Sequence, residues 1–556
     1  MPSGAVVSEH SHASTIGTRI LAAGGSAVDA LIATTIAVNT LNPYHSDLGG
    51  GGFAVLKEAS PEGAVKLDLT DFALALKAAV TAKLFKKLPA QATAVGGLAV
   101  AVPGQMRGFA ELHERYGVLS WKQLFQESID LAQNGFALGG DLYEYTLREA
   151  NPPNSTNLRD TWLDKDPSYA SLIQPDGHII PQGSIWKRPE LAKALRKIAE
   201  EGAEAFYEGE IAEALVKAVR DRDGLMTVDD LKNYKPIWRE ALSTKYKGFT
   251  LYAPPAPASG AIWLSAMSML SRFEPEGYGT VTDLHRLTEA LRLAYGQRTA
   301  LGDPAFVDDA EENQKEWLTE EYIERRKGMI DDKETKDPDY YKPAKVEIVT
   351  DAGTSNITTT DSSGLTISVT TTVGLSYGSH IMVPGWGFVL NDSMDDFSVE
   401  GRPNQFGYEP QVTNYVAGGK RPLSSSCPYI ITHPSGRVHA SGGAAGGSTI
   451  ISSNTQIALS LLAYNHSAAQ ALSNPRLHNQ ILPNVSTVER GSNVRGVEVK
   501  GFTEEQVEGL RKKGHKVQWV EKAFSTPCAI LWTGDGWEAE GDPRKHDSGG
   551  SVYIEG

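Results

Sequence analysis

The chain changes pattern near residue 350, and that change restricts its fold more than any other feature. Upstream, apolar residues recur at helical spacing over 15–31, 119–132, 189–200, 211–220 and 281–298, the first run interrupted at Gly24-Gly25. Downstream, Leu365, Ile367 and Val369 alternate with polar residues as in a strand, and 429–432 with 437–440 flank His433-Pro434-Ser435-Gly436 as a hairpin. A helix over 449–464, another over 504–513 and a strand over 515–520 complete the pattern. Between the halves, 311–341 is dense in charge and 343–352 reads as a loop, which predicts a solvated linker over about 310–353. Helices massed early and strands massed late, with helices returning, predict an α+β layered fold.

Composition narrows the function classes. The net charge of −15 argues against a nucleic-acid-binding surface, which wants a basic face. No apolar run approaches the ~18 residues of a membrane-spanning helix, and Met1-Pro2-Ser3-Gly4 opens no basic-then-apolar leader, so the expectation is a cytoplasmic protein without a membrane partner. Cys427 and Cys528 have neither metal-ligand nor redox spacing, and no disulfide framework is expected.

Three familiar motifs are weak here. The run Gly49-Gly50-Gly51-Gly52 is followed by no Gly-Lys-Ser/Thr, so it is no phosphate loop; it suits a sharp turn before a strand. His10 and His12 lack a third metal ligand. Gly374-Leu375-Ser376-Tyr377-Gly378 has the spacing of a nucleophile elbow, but the following residues carry Pro384, Gly385 and Gly387 and do not read as the helix an elbow needs.

Gly353-Thr354 offers a different chemistry. A charged linker ends in glycine, whose carbonyl is sterically open, and a threonine then opens a strand. Attack of the Thr354 hydroxyl on the Gly353 carbonyl, an N-to-O acyl shift and hydrolysis would free Thr354 as a new N-terminus. Its α-amine could then serve as base for its own hydroxyl. The tetrapeptide alone fits an ordinary loop entering a strand equally well.

The surroundings separate these readings. Gly24-Gly25-Ser26-Ala27-Val28-Asp29-Ala30, the glycine run ending in Phe53, Val102-Pro103-Gly104, Asp223-Gly224-Leu225-Met226-Thr227 and Gly302-Asp303-Pro304 recur in order. Met394-Asp395-Asp396-Phe397, Arg421-Pro422-Leu423-Ser424-Ser425-Ser426, Gly446-Gly447-Ser448 and Gly541-Asp542-Pro543-Arg544 follow. With these motifs the chain resembles the γ-glutamyltranspeptidase family, of the N-terminal-nucleophile hydrolases, from end to end.

The resemblance implies a four-layer αββα sandwich. It implies processing into a large subunit, residues 1–353, and a small one, 354–556, intertwined in one core. It implies Thr354 as nucleophile and, with Gly353, as processing site; Thr372 as its supporting hydroxyl; Gly446 and Gly447 as oxyanion donors; Asp396 for the substrate α-amino group; and Ser424 and Ser425 for its α-carboxylate. Residues 398–420 would form a lid, with Phe406 as its gating aromatic. No metal or organic cofactor is implied, since nucleophile, base and oxyanion donors all come from the chain.

Departures concentrate in the substrate shell. Thr70 stands where the family has a carboxylate-clamping arginine, Asn356 where it has histidine, Gly374 where it often has asparagine, Ser393 where it has glutamine or glutamate, and Asp47 where it has a small residue. A hydroxyl does not replace a bidentate guanidinium; either another base such as Arg107 serves, or the acyl group is not a plain γ-glutamyl. The expected partners are a small-molecule amide, such as glutathione or a conjugate, and water or an amine acceptor. An acylase on a non-glutamyl amide and an unprocessed, non-catalytic binding relative are the alternatives.

Overall fold

Strand pairing crosses the boundary at residue 353 repeatedly. The computed structural model describes residues 2–58, 67–72, 82–86, 88–341, 353–402, 409–494, 496–523 and 525–554. One antiparallel sheet runs from edge to edge through β13 (Gly549–Ile554), β1 (Pro2–Ser8), β7 (Ser355–Thr360), β8 (Thr366–Thr372), β2 (Gly51–Lys57), β3 (Leu67–Phe72) and β4 (Ile237–Arg239). The second runs through β12 (Trp537–Gly541), β11 (Thr526–Trp532), β10 (Val438–Ala445), β9 (Tyr429–Thr432), β6 (Phe249–Ala253) and β5 (Leu242–Tyr246). Residues before and after 353 therefore contribute strands to both sheets.

Helices cover the two outer faces. On the first sheet lie α1 (Ser11–Ala22) and α2 (Ala27–Leu41); on the second lie α3 (Gly260–Leu270) and α5 (Thr449–Leu462), with α4 (Val281–Arg298) packed behind α3. The result is helix, sheet, sheet, helix, the αββα sandwich expected. Gly24, at φ +88°, separates α1 from α2, and Ser26 with Asp29 forms a reciprocal cap that starts α2. Every residue of α2 is buried, so it is a core element without a wet face.

The strands β7 and β8 explain an unusual run of polar residues. Ile357, Ile367 and Val369 face the helices and join the core beneath α1 and α2. The alternate residues Asn356, Thr358, Ser368 and Thr370 are buried between the sheets, not exposed to solvent. They satisfy one another: Thr358 donates to Ser368 at 2.8 Å, and Ser368 donates to the Gly442 carbonyl across the sheet gap at 2.9 Å.

Several local expectations need correction. The charged run beginning at 310 is not a linker throughout, because Ala310–Trp317 and Glu320–Lys327 are helices whose charges form a wet face. Residues 342–352, the rest of the expected linker, lie outside the described residues. The helix expected over 119–132 is a 3-10 turn, Trp121–Phe125, continued by a helix over Gln126–Asn134. The strand expected over 515–520 is shorter, Val517–Val520, and β11, β12 and β13 follow it. Both cysteines are free and buried.

Candidate active site

Gly353 and Thr354 lead into β7 beside the end of β8. Thr354 is 2% exposed. The Thr372 hydroxyl donates a short hydrogen bond to the Gly353 carbonyl oxygen and accepts from the Gly374 amide at 2.8 Å. Gly353 sits at φ +139°, and a Cβ there would overlap the Gly374 carbonyl, so this position admits only glycine without rearrangement. The carbonyl next to Thr354 is thus held by a hydroxyl on one side and by main-chain packing on the other.

The turn after β8 is fixed by Asp392. Its Oδ1 accepts from the Leu375 amide at 2.9 Å and occupies the space a Cβ on Gly374 would need. Asparagine, frequent in the family here, could not be accommodated in this conformation. The glycine at 374 is therefore matched to the position that Asp392 Oδ1 occupies.

Gly446 and Gly447 lie between β10 and α5. Their φ values are +119° and +58°, and a Cβ on Gly446 would come within 2.6 Å of Ser525 Cα. Their carbonyls start the helix: Thr449 donates to Gly446, and the Ile450 amide donates to Gly447 at 3.0 Å. Among the described residues no acceptor takes the amide N–H of either glycine. Asn356 on β7 packs against Gly443 on β10. With Ser368 on Gly442, this register brings the Thr354 end of β7 towards the Gly446-Gly447 end of β10. Unspent N–H groups at a helix start suit a developing oxyanion.

The serine pair rests on a scaffold that sequence reasoning did not find. The Ser424 amide donates to Pro257 O at 2.8 Å, and Ser259 donates to Ser424 O at 2.6 Å. Ser425 Oγ accepts from Arg298 Nη2 at 3.0 Å; Arg298 is the last residue of α4 and is 2% exposed. Asn414 ties the Asp396 loop to this segment, donating to Asp396 O at 2.7 Å and accepting from the Leu423 amide at 3.0 Å. Asn391 bridges the glycine-rich turn and the Ser393 loop, donating to Gly49 O and Ala101 O at 2.8 and 2.9 Å. No short motif marks Arg298, Asn391 or Asn414, because each acts through contacts distant in sequence.

Other expected residues fall differently. Asn356 is spent inside the sandwich, donating to Val369 O at 2.8 Å and packing against Gly443, so the geometry gives it a role in the sheet and not in contacting substrate. Ser393 is buried, and its hydroxyl has no partner among the described residues. Asp396 is 9% exposed. Of Thr70 the strand register is described, opposite Ala54 and Trp238, but not the side chain; Phe406 lies outside the described residues. Arg107 is no substitute clamp: it pairs with Glu204 and stacks on Tyr207. His10 caps α1. Asp47 is buried in an ion pair with Arg188 at 2.9 Å.

Behind Thr354 stands a second buried group. Ser355 donates a short hydrogen bond to Glu9 on its way out of β1, and His45 Nδ1 lies 3.1 Å from the same carboxylate. Burial pushes the His45 pKa down, with Glu9 opposing the shift. The His45 carbonyl accepts from Val373, next to Thr372.

Comparisons with known proteins bear on the family and the fold. Residues 13–552 match the model of the family described as Gamma-glutamyltranspeptidase. The chain is 37% identical to the glutathione hydrolase proenzyme of Arthroderma benhamiae, over 99% of this chain and 92% of that protein. It is 36% identical to the glutathione hydrolase of Aspergillus flavus, over 99% and 90%. In structure it is similar to the cephalosporin acylase of Bacillus halodurans, with a TM-score of 0.82, 24% identity and coverage of 100% and 96%, a likeness of fold.

Proposed function

The chain belongs to the γ-glutamyltranspeptidase family, and we propose that it is a self-processing enzyme that transfers or hydrolyses a γ-glutamyl amide through an acyl ester on Thr354. The observation that carries this reading is the Thr372 hydroxyl on the Gly353 carbonyl oxygen, beside Thr354.

In processing, the Thr354 hydroxyl adds to the Gly353 carbonyl carbon, and the Thr372 hydrogen bond stabilises negative charge building on the oxygen. The C–N bond breaks, leaving an ester on Oγ and a free amine on Thr354. Water then cleaves the ester, releasing residues 1–353 with a new carboxylate. In turnover the α-amine takes the Oγ proton as Oγ attacks the substrate amide. The Gly446 and Gly447 amides receive the tetrahedral oxyanion. Collapse expels the leaving amine with the transferred proton, and water or an acceptor amine attacks the acyl ester to regenerate Thr354.

The donor we assign is glutathione or a related γ-glutamyl amide, in line with the hydrolase names of the relatives. Ser424 and Ser425, backed by the buried Arg298 charge, would take the α-carboxylate and Asp396 the α-amine. A second reading, an acylase for a non-glutamyl amide, is favoured by Thr70 and by the Gly374–Asp392 pair. Intact mass tests the first step: wild type should give two fragments meeting at Gly353-Thr354, and Thr354→Ala one inactive chain. A γ-glutamyl anilide assay of Thr70→Arg separates the donors, since improved KM supports a γ-glutamyl pocket lacking its clamp and no change supports the acylase.

A further inference from the structure

A buried cluster lies outside the machinery described above. His285 and Glu289 are one helical turn apart on α4, and His515 follows α6 (Glu504–Lys512) in the chain portion after 353. All three are buried, with one ligand atom from each lying within 4.8 Å of the others. We propose that His285, Glu289 and His515 bind one zinc-type divalent transition-metal ion that clasps α4 to the C-terminal portion of the chain.

The orientation of each group supports the assignment. His285 Nε2 donates to Asp331 O at 2.8 Å, which fixes the tautomer and turns the Nδ1 lone pair towards His515 Nε2, 2.7 Å away. A carbonyl on the far ring nitrogen is the usual outer support of a ligating histidine. The Glu289 carboxylate is likewise held from behind, with Thr335 donating to Oε1 and Tyr341 to Oε2, each at 2.6 Å. His515 Nδ1 is buried and has no partner. Without an ion, His515 Nε2–H donates to His285 Nδ1. With an ion, that proton moves to the vacant Nδ1 and both facing lone pairs become ligands, so no net proton is released.

The surroundings select the ion. Arg292 Nε stands 3.9 Å from Glu289, and Lys513 donates to Asp332 O nearby. With a single carboxylate among the three ligating side chains, the site supplies little oxygen charge, so Ca2+ and Mg2+ are disfavoured. Two imidazoles and a carboxylate suit Zn2+ or Co2+, with water as a fourth ligand. Burial lowers the pKa of both histidines and keeps them in the neutral, ligating form. Thr335 and Tyr341 belong to the segment leading into residues 342–352. If the chain is cut at Gly353-Thr354, the ion would bind large and small subunits together; that consequence rests on the proposed processing, whereas the site does not.

The test is metal analysis of the full chain after dialysis against zinc and then metal-free buffer, run on wild type, Thr354→Ala, His515→Asn and Glu289→Gln. We expect about one zinc per chain in the first two and under about a tenth in the others, with visible Co2+ absorption following the same order. A chelator should lower the wild-type melting temperature by a few degrees, and calcium should not restore it. Wild type without stoichiometric zinc, or retention of zinc in both site variants, overturns the proposal. Should a variant fail to fold, the wild-type stoichiometry and the chelator shift still decide. A wild type that carries zinc but stays one uncut chain would leave the site standing and sink only the subunit clasp.

Discussion

Thr372 donates its hydroxyl to the carbonyl oxygen of Gly353 while accepting from the Gly374 amide, so one side chain spans the turn after β8 and the bond before Thr354. Replacing it with valine keeps the β-branched shape and removes both hydrogen bonds. Loss of a donor to a developing oxyanion typically costs ~100–1,000-fold in rate. Thr372→Val should therefore slow appearance of the two fragments by that order, measured by intact mass over time. Stability should fall by only about 1 kcal/mol. Cleavage at the wild-type rate would remove Thr372 from the mechanism.

The Gly374–Asp392 overlap predicts a coupled pair. Gly374→Ala places a methyl into Asp392 Oδ1 at a φ of +97° and should cost about 2–4 kcal/mol in urea unfolding. Asp392→Gly alone loses the hydrogen bond to Leu375 but creates no clash. The double variant should be more stable than the sum of the two single losses predicts, by about 1 kcal/mol or more. Strict additivity would mean that the carboxylate moves freely aside.

Much of this was legible in the sequence, for physical reasons that differ by element. Helix α4 was readable to its ends because a buried stripe recurs over 18 residues and Thr280 caps its start. The sheet order was not readable, since pairings such as β1 with β7 join residues some 350 apart and leave no local trace. Thr354, Gly446 and Gly447 were named through the family resemblance, since Gly353-Thr354 alone fits an ordinary loop equally well. Arg298 could not: its value lies in meeting Ser425 across 127 residues of chain. The alternation in β8 marked a strand but left its polar face unassigned, and that face lies in the gap between two sheets.

Ser425 gives a test of substrate orientation. Its hydroxyl already accepts from Arg298, so its own proton is directed to a further acceptor. If that acceptor is a donor's α-carboxylate, Ser425→Ala loses a hydrogen bond to a charged group, about 1.5–3 kcal/mol. KM for a γ-glutamyl anilide should rise roughly 10- to 100-fold, with kcat within a few-fold. An analogue lacking the α-carboxylate should show no such rise. Equal losses on both substrates would assign Ser425 to the scaffold.

Asp47 and Arg188 form a buried pair, Arg188 also donating to Asn39 O, Thr40 O and Gly387 O. Burial raises the Asp47 pKa and Arg188 opposes that rise. Arg188→Met would strand a carboxylate and should cost about 3–5 kcal/mol in chemical denaturation. Asp47→Asn with Arg188→Met should recover part of it. A cost under about 1 kcal/mol for the single variant would show that water reaches the pair.

Acid sensitivity follows from histidines buried in their neutral form. His380 stacks on Trp162 with ring centroids 3.8 Å apart, His439 lies against Phe249, and His478 faces Ser452. Burial is the leading cause that pushes all three down to about 4, from 6.5. Between those values the unfolded chain binds protons that the folded chain refuses, so stability rises with pH across the window. It should be level with respect to these groups above about pH 6.5 and fall progressively as pH drops towards about 4. Urea midpoints at intervals from pH 7 to 4 would show the decline. His380→Phe keeps the stack and removes the titrating nitrogen, so its slope should be shallower by one proton's share. An unchanged slope in that variant would mean that His380 titrates as freely folded as unfolded.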